Sequence, residues 1–113
     1  MKNLWNKIRI SNRSGSHIGC VRVFPNNTLS HEIHKTKIVH LLMNKKYKCM
    51  TEVIFETGGR ADIVAIKDGY GYIIEIVESE TEKSLAQKKE KYPSEFTFIP
   101  VKTSDITSDL DIL

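Results

Sequence analysis

The dipeptide Asp68-Gly69, set between two apolar runs, constrains this chain more than any other feature. A two-residue loop of this type reads as a type I′ turn, because both central residues must take positive φ. The flanking runs, 60–66 and 72–77, are rich in the β-branched residues that strands favour. The turn therefore predicts an antiparallel hairpin and sets its register. With Asp68 and Gly69 as the loop, Lys67 faces Tyr70, Ile66 faces Gly71 and Val64 faces Ile73. Counting on, Asp62 faces Glu75, and Arg60 faces Val77 on the same side of the sheet.

That register puts two carboxylates side by side inside apolar strands. Directly opposed residues have Cβ atoms ~4.5–5.5 Å apart. Acids at that spacing repel unless one is protonated or a cation lies between them. A hard cation with oxygen ligands, Mg²⁺ or Mn²⁺, removes the conflict. Arg60, on the same side, either neutralises the acids as a structural ion pair or contacts a phosphate.

The rest of the chain supplies the elements around this hairpin. Residues 18–24 read as a strand ended by the turn Pro25-Asn26-Asn27. Ser30 reads as an N-cap, with Glu32 in the first turn of a helix over 31–44 and Asn44 closing it. Residues 47–55 read as a strand, and Thr57-Gly58-Gly59 as a turn. Ser79 and Glu82 form a capping box for a second helix over 80–92, stopped by Pro93. Residues 96–101 are a last strand. The order from Ser30 is α-β-β-β-α-β. The last strand lies parallel to the third through a right-handed crossover, which gives a mixed sheet.

At 113 residues the chain suits a single α/β domain over 18–113, preceded by a basic arm over 1–17. Before Glu32 it carries Lys2, Lys7, Arg9, Arg13 and Arg22 and no acid. Such an arm is either the footprint of a polyanion such as DNA or a loosely held, solvated terminus. No apolar run approaches the ~20 residues of a membrane span. The opening residues have no apolar signal region, so an intracellular, cytoplasmic protein is expected. Cys20 and Cys49 read as two buried, reduced thiols.

The motifs also carry a resemblance. Glu32 on a first helix, then Gly59-Arg60-Ala61-Asp62, then Ile74-Glu75-Ile76-Val77, then a helix bearing Gln87 and Tyr92, resemble the PD-(D/E)XK nuclease superfamily. The Gly-Arg-x-Asp stretch and the short length are most similar to its archaeal-type Holliday junction resolvase branch. The resemblance covers about residues 30–101. It implies a restriction-endonuclease-like fold and a metal-dependent endonuclease acting on DNA, with branched junctions among its substrates. It implies Mg²⁺ or Mn²⁺ held by Glu32, Asp62 and Glu75, and a homodimer.

One position departs from the pattern. The superfamily's lysine follows its Glu by two residues, and here that residue is Val77. Either another cation substitutes or catalysis is lost and a binding domain remains. Arg60 is a candidate by register. Lys83 and Lys88 on the second helix are candidates by reach, and both also suit contact with a nucleic-acid backbone. Arg60 can stabilise charge but cannot act as a base. Glu32 equally reads as an ordinary first-turn acid, and Gln87 and Tyr92 as packing and capping residues.

Overall fold

A hairpin with one fixed register organises the molecule, and the computed structural model, which describes Leu4 and residues 18–103, shows how the chain builds around it. The elements are α1 (Leu29–Asn44), β1 (Lys48–Ile54), β2 (Arg60–Lys67), β3 (Tyr70–Val77), α2 (Glu82–Lys89) and β4 (Phe96–Lys102). The four strands form one sheet in the order β1-β2-β3-β4. The first three are antiparallel neighbours, and β4 runs parallel to β3. Asp68 and Gly69 both take positive φ, 53° and 82°, as the I′ turn requires. The pairs Lys67–Tyr70, Ile66–Gly71 and Val64–Ile73 form as the turn dictates.

The sheet buries both faces. Ile38, Val39 and Leu42 of α1 pack on Cys49, Ile63, Ala65, Ile74, Ile76, Ile99 and Val101. The opposite face carries Met50, Val64, Ile66, Ile73, Phe55 and Phe96, joined by Tyr92 and Leu4. Leu4, expected in a loose arm, is 4% exposed and lies on this second core. The other arm positions, Lys2, Lys7, Arg9 and Arg13, fall outside the described residues.

Four local expectations are corrected. Residues 18–24 form no strand. They run beside the edge strand β1, but the contacts are few. Gly19 N–H donates to the Cys49 carbonyl at 2.8 Å, and Arg22 N–H donates to the Thr51 hydroxyl at 2.8 Å. A side-chain acceptor replaces the carbonyl that a ladder would need, so the segment covers the edge without extending the sheet. The cap of α1 is Thr28, whose hydroxyl accepts from His31 N–H at 3.1 Å, and at the other end Asn44 stays helical, Lys45 is the C-cap and Lys46 takes the left-handed conformation. Thr81 caps α2 in place of Ser79, because the Glu80 carboxylate takes the backbone N–H groups of Glu78 and Ser79. The helix starts at Glu82 and ends at Lys89, inside the expected 80–92, and buries none of its residues. Cys20 is exposed, whereas Cys49 is buried, and burial pushes its thiol up to about 11.

Candidate functional site

Three acids fall in one row across the first three strands. The pairs Thr51–Ile63 and Val53–Ala61 bracket Glu52 and Asp62. The last regular pair of the hairpin, Ile63–Ile74, leaves Asp62 and Glu75 at the next step. The ladder breaks here. Glu52 has φ 50°, a conformation few non-glycine residues adopt. Ile63 belongs to the core under α1 and Ala61 to the opposite core, so β2 rolls over at Asp62. Asp62 Oδ2 accepts the Ile76 N–H at 2.9 Å, a side chain standing in for a ladder carbonyl. The sheet thus opens between β2 and β3 where the two carboxyls meet.

Each carboxyl has its own surroundings. Glu75 is 3% exposed. Burial first, and then the charge of Asp62, push its carboxyl up to about 9. Burial also pushes Asp62 upward, but hydrogen bonds from His31, Glu75 and Ile76 N–H outweigh it and hold Asp62 below the ordinary range. The proton is therefore held on Glu75 at neutral pH, hydrogen-bonded to an ionised Asp62, as expected for neighbouring acids. The Tyr92 hydroxyl is hydrogen-bonded to Glu75 Oε1 and lies 2.8 Å from the Arg60 carbonyl. Lys88 Nζ lies 4.0 Å from Glu75 Oε2 and 3.5 Å from Glu80 Oε1.

Helix α1 forms the other wall. His31 Nε2 lies 3.3 Å from Asp62 Oδ2. The Asp62 hydrogen bond raises the imidazole pKa against the opposing effect of burial. Lys35 is fully buried. Its ammonium donates to the Arg22 carbonyl at 2.6 Å and to Glu32 Oε1 at 3.0 Å, and lies 2.8 Å from Glu32 Oε2. Burial pushes Glu32 upward, but Lys35 and Asn27 overcome it and keep the carboxylate low. Asn27 Nδ2 donates to Glu32 at 2.7 Å and to Glu52 at 3.2 Å, which joins α1 to the carboxylate row. Burial raises the Glu52 pKa.

The structure brings Asp62, Glu75, Tyr92 and Lys88 together. Glu32 reaches the same region but is engaged by Lys35 and Asn27. Arg60 is displaced from its expected register opposite Val77. The β2–β3 ladder ends before it, so Arg60 pairs with Ile54 on β1, and its guanidinium sits 4.8 Å over the Phe24 ring. Val77 is buried and pairs with Lys102 of β4 instead. Gln87 and Lys83 are exposed on α2. Sequence reasoning missed His31, Lys35 and Glu52. A signal for the first two existed. Positions 31, 35, 38 and 42 lie on one helical stripe, so His31 and Lys35 occupy the buried face that Ile38 and Leu42 define.

The residues can be weighed against a divalent cation. Among the described residues no group of three or more His, Cys, Asp or Glu converges as a metal-binding set. Mg²⁺ does not require one, because it keeps several waters and binds through one or two carboxylates plus substrate phosphates. Asp62 and Glu75 offer all-oxygen donors, and the shared proton marks where a cation would relieve the same repulsion. The pair thus offers oxygen donors of the kind that Mg²⁺ or Mn²⁺ takes, and Glu32 is engaged in its own ion pair. Comparison of the chain with protein-family models, curated proteins and solved structures gives no match. Among the described residues no helix is long and apolar enough to cross a membrane.

Proposed function

We propose that this chain is a restriction-endonuclease-like domain that binds DNA and, with Mg²⁺ or Mn²⁺ at Asp62 and Glu75, hydrolyses phosphodiester bonds. The observation that carries this reading is the placement of Asp62 beside the buried Glu75 at the opening between β2 and β3, with Asp62 Oδ2 taking the Ile76 N–H. The α-β-β-β-α-β order and the mixed sheet also support it. A cation bound there supplies Lewis acidity toward phosphate oxygens and water. The chain's own residues do the rest. Ile76 N–H and His31 orient Asp62, and Tyr92 orients Glu75. Lys88 stands beside Glu75 and takes the place of the cation absent at Val77, where it stabilises charge on phosphate. Arg60, exposed at the mouth and stacked on Phe24, contacts backbone phosphate. By the same resemblance the domain pairs as a homodimer, which presents two such sites.

A second reading, a nuclease-like domain that binds without cutting, is favoured by the burial of Val77 at the lysine position. One assay separates the two. Supercoiled plasmid and four-way junction DNA are incubated with Mg²⁺ or Mn²⁺. Cleavage by the wild type that disappears in Asp62→Ala and Glu75→Ala supports the enzyme. No cleavage, with DNA binding that weakens steeply as salt rises, supports the binding domain. Equal cleavage by both variants removes the carboxylate pair from the account.

A further inference from the structure

Four lysines gather at the turn end of the sheet. Lys45 and Lys46 follow α1, Lys48 opens β1 and Lys67 ends β2. Lys46, Lys48 and Lys67 line a concavity of about 330 Å³ beside the Asp68-Gly69 turn, and Asp68 is the one acid in its lining. Among the described residues neither Lys46 nor Lys48 forms an ion pair. Lys67 is pinned. Its ammonium donates to the Lys45 carbonyl at 2.9 Å and lies 5.3 Å from the centre of the Tyr47 ring.

Gathering like charges around a hollow costs electrostatic energy that an anion in the hollow would relieve. A backbone feature points the same way. Lys46 takes φ 73° just after the end of α1, where glycine would hold the conformation without strain. The chain keeps a cation at a position where local backbone preference favours none. The ordinary explanation is that these lysines offset the negative end of the α1 dipole. It accounts for Lys45 and Lys46, the residues closest to the helix end. It does not account for Lys48, which lines the hollow from β1, or for Lys67, which lines it from β2 with its ammonium held toward Lys45 and Tyr47.

We propose that this concavity is a phosphate-binding site that takes a backbone phosphate of nucleic acid. It is separate from the carboxylate row, since Asp68 lies beyond the far end of β2 from Asp62, about 20 Å away at ~3.3 Å per residue. The nucleic-acid source rests on the proposed function, and the phosphate chemistry does not.

The test is a metal-free titration of the ¹⁵N-labelled full chain with duplex DNA and, separately, with inorganic phosphate. The site predicts that duplex DNA shifts the amides of 46–48 and 67–69. Lys46→Gly should raise the Tm by relieving strain, yet weaken DNA binding several-fold. It should also lower the slope of log Kd against log salt by about 0.9, one phosphate contact. Lys48→Gln should weaken binding similarly without the gain in Tm. Unchanged affinity and slope in both variants overturns the proposal and leaves the lysines as helix-end compensation. Amides that move with inorganic phosphate but not with DNA overturn the nucleic-acid source. Loss of the carboxylate reading would show instead in Mn²⁺ binding, which these metal-free measurements do not touch.

Discussion

Replacing Glu75 with glutamine should abolish most of the pH dependence of stability between pH 6.5 and 8.5. In the folded chain, burial and then Asp62 hold the Glu75 carboxyl up near 9, whereas an unfolded glutamate titrates at ~4.3. Between those values the folded state binds a proton that the unfolded state does not. The stabilisation is therefore complete below the unfolded pKa and is lost as pH rises through the folded one. One bound proton corresponds to ~1.4 kcal/mol per pH unit, and about a quarter of it is already released at pH 8.5, so the wild type should lose about 2.6 kcal/mol over this window. That is a large part of the ~5–15 kcal/mol stability of an ordinary domain. His31 and Glu52, whose pKa values are also raised, act with the same sign but remain in the variant. The difference between the two profiles therefore isolates Glu75. Urea unfolding followed by far-UV circular dichroism, without divalent cations, measures it. Parallel profiles for wild type and Glu75→Gln would refute the shared-proton argument.

Lys35→Met should destabilise the fold by ~3–5 kcal/mol, because it leaves the nearly buried Glu32 carboxylate without its cation and the Arg22 carbonyl without the ammonium that donates to it. Lys35→Met combined with Glu32→Gln should recover part of that loss in urea titrations, and no recovery would contradict the ion-pair account. Gly59→Ala should cost ~1–3 kcal/mol by overpacking, since its Cβ would meet the Lys91 carbonyl at 2.7 Å and the Tyr92 ring at 2.8 Å. Thermal unfolding reads this directly. Replacing Lys2, Lys7, Arg9 and Arg13 with alanine should weaken DNA binding and flatten its salt dependence. Substitution is the cleaner experiment than deleting residues 1–16, which would also remove the buried Leu4.

The hairpin was legible because the Asp68-Gly69 turn chemistry and the apolar runs agree, and that agreement placed Asp62 beside Glu75. Counting could not show where the ladder would end. Register arithmetic assumes an unbroken ladder, and the roll at Asp62 invalidates it for Arg60 and Val77. The roll depends on long-range partners, His31 on α1 and Ile76 N–H on β3, which local pattern does not reveal. Residues 18–24 have the composition of a strand but lie beside an edge whose partner is the Thr51 hydroxyl. Helix α2 starts two residues later than the capping-box pattern predicts, because the Glu80 carboxylate caps the preceding backbone instead. Lys35 was visible on the apolar stripe of α1, but only the tertiary fold supplies the carbonyl and carboxylate that make its burial tolerable.

The central claim is that Asp62 and Glu75 hold a divalent cation, and calorimetric titration of the full chain with Mn²⁺ at pH 7.5 tests it most directly. Run in two buffers of different ionisation enthalpy, it should show binding that releases about one proton per ion, the one held on Glu75. Asp62→Asn and Glu75→Gln should each abolish most of that binding. No Mn²⁺ binding by the wild type, or binding that both variants retain, would contradict the account.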